Sequence, residues 1–315
     1  MARYSDRLSN QQAGYLREHC QHFSGLGWAL FAQMAAMIGV QWAVLLPVQL
    51  LAPPMLHSPV FLWGLSVASC YGVGAPLFFL LARRQPVPPP EGRPAPLRPG
   101  RFLQVYVIGL SAMYLVNLAT QWLMALVGFL RGEAVVNPVL ETAGYPVALN
   151  LLLGCVIAPV VEELMFRRVL LERLRPYGER FAALASALCF ALFHGNFHQF
   201  FYAFALGVVF AYVVLKTRCL WQVVLLHAMV NGIYAGLTPL AERAGAWGAA
   251  ALGLFILAAV VLGLVFFLVL RRRIWWRMGG TDLSEGRIWA LFFHNPGVIF
   301  FCLLAAALAA TYLAA

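Results

Sequence analysis

The sequence predicts an all-α fold, a polytopic transmembrane helix bundle of eight or nine spans. Three observations predict it. The 315 residues are 62% hydrophobic and only 11% charged, with a mean hydropathy of +0.79, where a soluble domain is about 45–50% apolar and about 25% charged. Apolar runs long enough to cross about 30 Å of hydrocarbon recur along the whole chain. Lys and Arg cluster in alternate connecting segments, the pattern that membrane insertion leaves.

Residues 1–27 are largely polar and lack the short apolar core and cleavage site of a signal peptide, so they read as a retained cytoplasmic tail. An N-terminal transmembrane unit, 28–130, carries spans at about 28–52, 58–82 and 102–130. Its Pro-rich connector RRQPVPPPEGRPAPLRPGR, 83–101, reads as stiff and extended. A core unit, 145–240, carries spans at about 145–175, 198–215 and 219–240, with a shorter run at 181–195 that must tuck among its neighbours. The last unit, 247–315, has spans at about 247–270 and 297–315 around a basic loop, 271–287. The break Asn295-Pro296-Gly297 leaves the count at eight or nine. The stretch RRRIWWR, 271–277, reads as a cytoplasmic stop with aromatic belt residues, a place where anionic lipid could also be met.

With the N-terminus in the cytoplasm and the spans alternating, the inside segments are 1–27, 83–101, 167–180, 216–218 and 271–287. They hold all 22 Lys and Arg residues except Arg131 and Arg243, which satisfies the positive-inside rule. The same orientation accounts for a net charge of +10, so the expected partner is the membrane and not nucleic acid. The six cysteines are scattered without paired spacing, against a disulfide framework or thiolate metal site.

Polar residues interrupt three core segments where lipid-facing helices should have none: Glu162-Glu163-Leu-Met-Phe-Arg167, Phe190-Ala-Leu-Phe-His194 and His227-Ala-Met-Val-Asn231. An intramembrane ionisable residue needs a partner or a function. At a rise of 1.5 Å per residue, Glu162 and His194 both lie about 20 Å in from the cytoplasmic turn, and His227 and Asn231 about 13–20 Å in. The groups therefore converge on one layer. Glu163 and Arg167 are spaced i,i+4 in the favourable order and can pair, which leaves Glu162, rotated about 100° away, for another surface. His227 and Asn231, also i,i+4, stack above one another toward a shared point.

A carboxylate beside water in such a pocket suits a general base, a nearby imidazole can hold the water in line, and a His–Asn pair supplies donors for an oxyanion. Ser186 and Cys189 lie too far toward the cytoplasmic end to serve as nucleophile. His198, Tyr202 and Tyr234 are further polar residues near this layer, though the Gly195-Asn196 helix end separates His198 from His194.

The three motifs, in this order on three helices, resemble the CAAX protease and bacteriocin-processing family of intramembrane proteases, whose pattern is EExxxR, FxxxH and HxxxN. The resemblance covers roughly 145–240. It implies an endopeptidase acting on a membrane-associated peptide or protein, CAAX-processing-like or leader-peptide-processing-like, in a cavity open toward the cytoplasm. Glu162 would be the catalytic carboxylate, working with His194 on water; His227 and Asn231 would stabilise the tetrahedral intermediate; Glu163 and Arg167 would support the site. No cofactor is favoured. Zinc remains open, with Glu162, His194 and His227 as two His and one carboxylate, although the chain has no HExxH. A proton-linked transporter also keeps Glu and His at membrane depth, and a non-catalytic immunity-type membrane protein is a third reading.

Overall fold

The structure, a computed structural model, describes residues 2–89, 92–141 and 144–314. These residues are helical with irregular connections and no strand. Ten helices order them: α1 Ala2–Leu51, α2 Pro59–Ala82, α3 Pro99–Arg131, α4 Val147–Tyr177, α5 Glu179–Phe193, α6 Phe197–Thr217, α7 Leu220–Arg243, α8 Gly245–Leu270, α9 Glu285–Phe293 and α10 Pro296–Ala314. Eight of them, all but α5 and α9, are long and apolar enough to cross a membrane. This is a multi-pass membrane protein.

The C-terminal break resolves into one span and one short helix. Asn295, fully buried, donates to the carbonyls of Leu291 and Phe292 at 3.0 and 2.7 Å and accepts from the Val298 N–H at 3.0 Å. It therefore caps the end of α9 and the start of α10. The N-terminal tail differs from the sequence expectation. Helix α1 runs unbroken from Ala2, and within the segment read as a tail Phe23 and Leu26 are buried. Phe23 packs on Tyr177, Phe181 and Phe292, so tertiary packing extends the helix beyond its apolar run.

Three of the spans share a device. Pro76, Pro159 and Pro239 lie inside α2, α4 and α7, each within the two residues after a π turn: Ala68–Gly74, Leu153–Ile157 and Ile233–Leu237. Proline clashes with the carbonyl four residues back and lacks the N–H to bond it. The wider turn accommodates both defects without ending the helix. A fourth π turn, Leu164–Leu170, follows Glu163 with no proline to explain it.

The short run after α4 folds as expected. Helix α5 is almost wholly buried and forms a tight hairpin with α6. Their close approach needs Gly207, where a Cβ would come within 2.9 Å of the Ala187 Cβ. The Pro-rich connector is strapped to the bundle through its described residues. Its Ala95 N–H donates to the Thr217 carbonyl at 2.8 Å, and Leu97 exchanges two bonds with the Gln222 amide at 2.8 and 3.0 Å. The basic stretch is also docked: Lys216 lies 3.4 Å from the Trp275 ring centre and pairs with Glu179, whose carboxylate accepts from the Arg277 N–H at 2.9 Å.

Candidate active site

Glu162 and Glu163 stand midway along α4, about 22 Å from either end at helical rise. Both are buried, as are Arg167 and His227. The Glu163 carboxylate holds two cationic or polar partners: Arg167 Nε lies 3.1 Å from Oε2, and His227 Nδ1 lies 2.9 Å from Oε1. The sequence spacing gave Glu163 to Arg167 alone. The second bond was not visible there, because it joins residues 64 positions apart on two helices.

Arg167 is fully buried. Its guanidinium faces the Phe190 ring at 4.4 Å and the Phe210 ring at 5.6 Å, and it reaches the Gly207 carbonyl at 3.5 Å. Aromatic faces and a carboxylate together compensate a charge that hydrocarbon alone would not accept.

An ionised carboxylate only accepts hydrogen bonds, so His227 donates to Glu163 from Nδ1. That leaves its Nε2 facing Glu162, 3.9 Å from Oε2. His194 repeats the arrangement in its own way. Its Nδ1 lies 2.8 Å from the Phe190 carbonyl, which can only accept, so Nε2 is again the free nitrogen. Glu162, His227 and Arg167 are its titratable neighbours. The other oxygen of Glu162, Oε1, accepts from the Tyr71 hydroxyl at 2.6 Å. Tyr71 comes from α2, and nothing in the sequence pointed to it: a single tyrosine in an apolar span has no spacing to read.

The Asn231 side-chain amide donates to the Gly154 carbonyl at 2.9 Å, so Asn231, like His227, is tied to α4. The cause is the π turn Leu153–Ile157, whose widened geometry frees a carbonyl from the regular ladder. An amide has a second N–H that this bond does not use. Tyr234 donates to the Val139 carbonyl at 2.7 Å, away from the carboxylates, and Tyr202 is half-buried on α6. His198 is buried and lines a separate cavity of about 700 Å³ with Gln121, Met124 and Glu133.

Glu162, His194 and His227 are the residues offered for zinc. Among the described residues no three His, Cys, Asp or Glu side chains group closely enough to hold a metal ion, and one oxygen of Glu162 is already taken by Tyr71. Met165, Phe166, Leu170, Phe190 and Phe210 are all at most 2% exposed.

Residues 144–233 match the profile of a family described as type II CAAX prenyl endopeptidase Rce1-like. The segment contains all seven residues of the three motifs, and over it the chain resembles the CAAX protease and bacteriocin-processing family. Over 86 residues the chain is 27% identical to a Bacillus subtilis (strain 168) protein named "Putative membrane peptidase YdiL", a match covering 27% of this chain and 35% of that protein. The chain thus spans about a third of the relative's length. No solved structure matches. Tyr71 lies outside the family segment, so the site draws on a helix that the likeness does not reach.

Proposed function

We propose that the chain is an intramembrane endopeptidase that hydrolyses a peptide bond in a membrane-associated protein or peptide, with Glu162 activating water. The observation that carries this reading is the posture of Glu162. One oxygen is held by Tyr71, and the other faces His227 Nε2 across 3.9 Å. That gap is too long for a direct hydrogen bond and suits an intervening water.

In the first step the water gives a proton to Glu162 Oε2 while its oxygen adds to the peptide carbonyl carbon. The carbonyl electron pair moves onto oxygen. His194, through its free Nε2, orients the water. His227, protonated at Nε2 and balanced by Glu163, donates to the oxyanion, and the second N–H of Asn231 is the other donor. Such donors contribute about 2.7–4 kcal/mol each. In the second step the oxyanion electrons re-form the carbonyl, the C–N bond breaks, and Glu162 passes its proton to the leaving amine.

The substrate is of the CAAX-terminal or leader-peptide kind, and the basic end of the bundle lies in the cytoplasm. The chemistry is metal-free in this reading. Purified Glu162→Ala and His194→Ala proteins should each lose cleavage, by about 100-fold or more, while keeping the elution and melting behaviour of the parent. Parent-like turnover in either would end the reading. Dialysis against a chelator should leave turnover unchanged; a loss that zinc restores would replace the glutamate mechanism with a metal one.

A further inference from the structure

Helix α2 meets α4 through two side-chain hydrogen bonds. Near the end opposite the basic face, the Trp63 Nε1–H donates to the Leu149 carbonyl at 3.1 Å. At mid-span, the Tyr71 hydroxyl donates to Glu162 Oε1 at 2.6 Å. The first joins two helices; the second ends on the carboxylate proposed as the base. Tyr71 sits in the π turn Ala68–Gly74, where an added residue swings the following side chains by about 100° relative to a regular helix. The same turn is tied back to α1. Gln33 Nε2 lies 3.7 Å from Cys70 Sγ, and Gln41 Nε2 donates to Ser69 Oγ at 3.2 Å. Gln33 and Ser69 are fully buried. Three consecutive residues of α2 therefore carry a polar track from α1 to Glu162, through a span that is otherwise apolar.

From this juxtaposition we infer that Tyr71 is a positioning residue of the reaction: by holding Oε1 of Glu162, it fixes Oε2 toward His227 Nε2. A carboxylate has two equivalent oxygens and a softly rotating terminal torsion. Left unheld, Glu162 would divide its time among orientations, and only one of them points a lone pair at the water. Misplacement of a reacting group by about 1 Å costs on the order of 100-fold in rate. The N-terminal helices thereby supply part of the working site, although they lie outside the family segment 144–233.

The inference rests on the proteolytic reading of Glu162, and the test separates the two. The probe is the segment cleaved by the parent but left intact in membranes of a Glu162→Ala strain, synthesised as an internally quenched peptide. Tyr71→Phe removes the hydroxyl and keeps the ring. It should lower kcat about 10- to 100-fold with KM unchanged, and move the acid limb of the kcat–pH profile by about half a unit or more. Trp63→Phe, which breaks the other α2–α4 bond without touching the carboxylate, should leave kcat and the pH profile as in the parent. If Tyr71→Phe has parent kcat, or if both variants lower turnover alike with the parent pH profile, Tyr71 serves only to dock α2 and the inference fails. If Glu162→Gln itself turns over the peptide, the proteolytic reading fails instead.

Discussion

Glu163 is the residue on which the site's charge balance turns. Its two oxygens are divided between a guanidinium and an imidazole, and all three groups are buried. Exposed ion pairs contribute about 0–1 kcal/mol, but removing one partner of a buried pair costs about 3–5 kcal/mol because the other charge is left without compensation. Arg167→Met should therefore lower the melting temperature sharply, and Glu163→Gln with Arg167→Met together should cost less than Arg167→Met alone. Thermal unfolding in detergent checks this, and a double variant that loses the sum of the two single variants' losses would mean that the pair carries no coupling. The seven motif residues were legible as a pattern because helical spacing and depth are properties of the sequence. Which oxygen meets which nitrogen was not, since those contacts join separate helices. Asn231 is a case: its i,i+4 relation to His227 is spacing, whereas its bond to the Gly154 carbonyl joins two helices.

At the scale of elements, the hairpin of α5 and α6 sets where His194 stands. It turns at Gly195, which has φ +60° and a space closed by Leu308 of α10, since a Cβ there would approach Leu308 Cδ2 to 2.4 Å. Left-handed backbone costs a non-glycine residue about 1–2 kcal/mol, and the contact adds to that. Gly195→Ala should destabilise the protein by roughly 2–3 kcal/mol and reduce cleavage further than that loss explains, because the residue before it is His194. Circular-dichroism melts alongside turnover check it; unchanged turnover in a folded Gly195→Ala protein would show that the hairpin tip is not what places the imidazole. The spans themselves were legible from hydropathy, and α5 was read as a short tucked helix from its length. The π turns were not, although a proline within a long apolar run is where one should be sought.

At the scale of the whole molecule, two asymmetries point the same way. Of the 22 Lys and Arg residues, all except Arg131 and Arg243 fall in the segments read as cytoplasmic, and the charged connections there are knitted together. Arg218 and Arg175 both pair with Glu172, at 3.1 and 3.0 Å, and Lys216 pairs with Glu179. The opposite end carries few charges and a loosely covered α8 start, with Trp247 88% exposed. Membrane insertion keeps Lys and Arg in short loops on the cytoplasmic side, so the knitted end should be cytoplasmic and Trp247 should face outward. The check is labelling by a membrane-impermeant maleimide, counted above that of the parent chain with its own cysteines. Arg272→Cys should label in inverted vesicles and be silent in intact cells, and Trp247→Cys should do the reverse. The opposite pattern would place the basic end outside. It would then leave the net positive charge without a membrane explanation and reverse the face from which a substrate must reach Glu162.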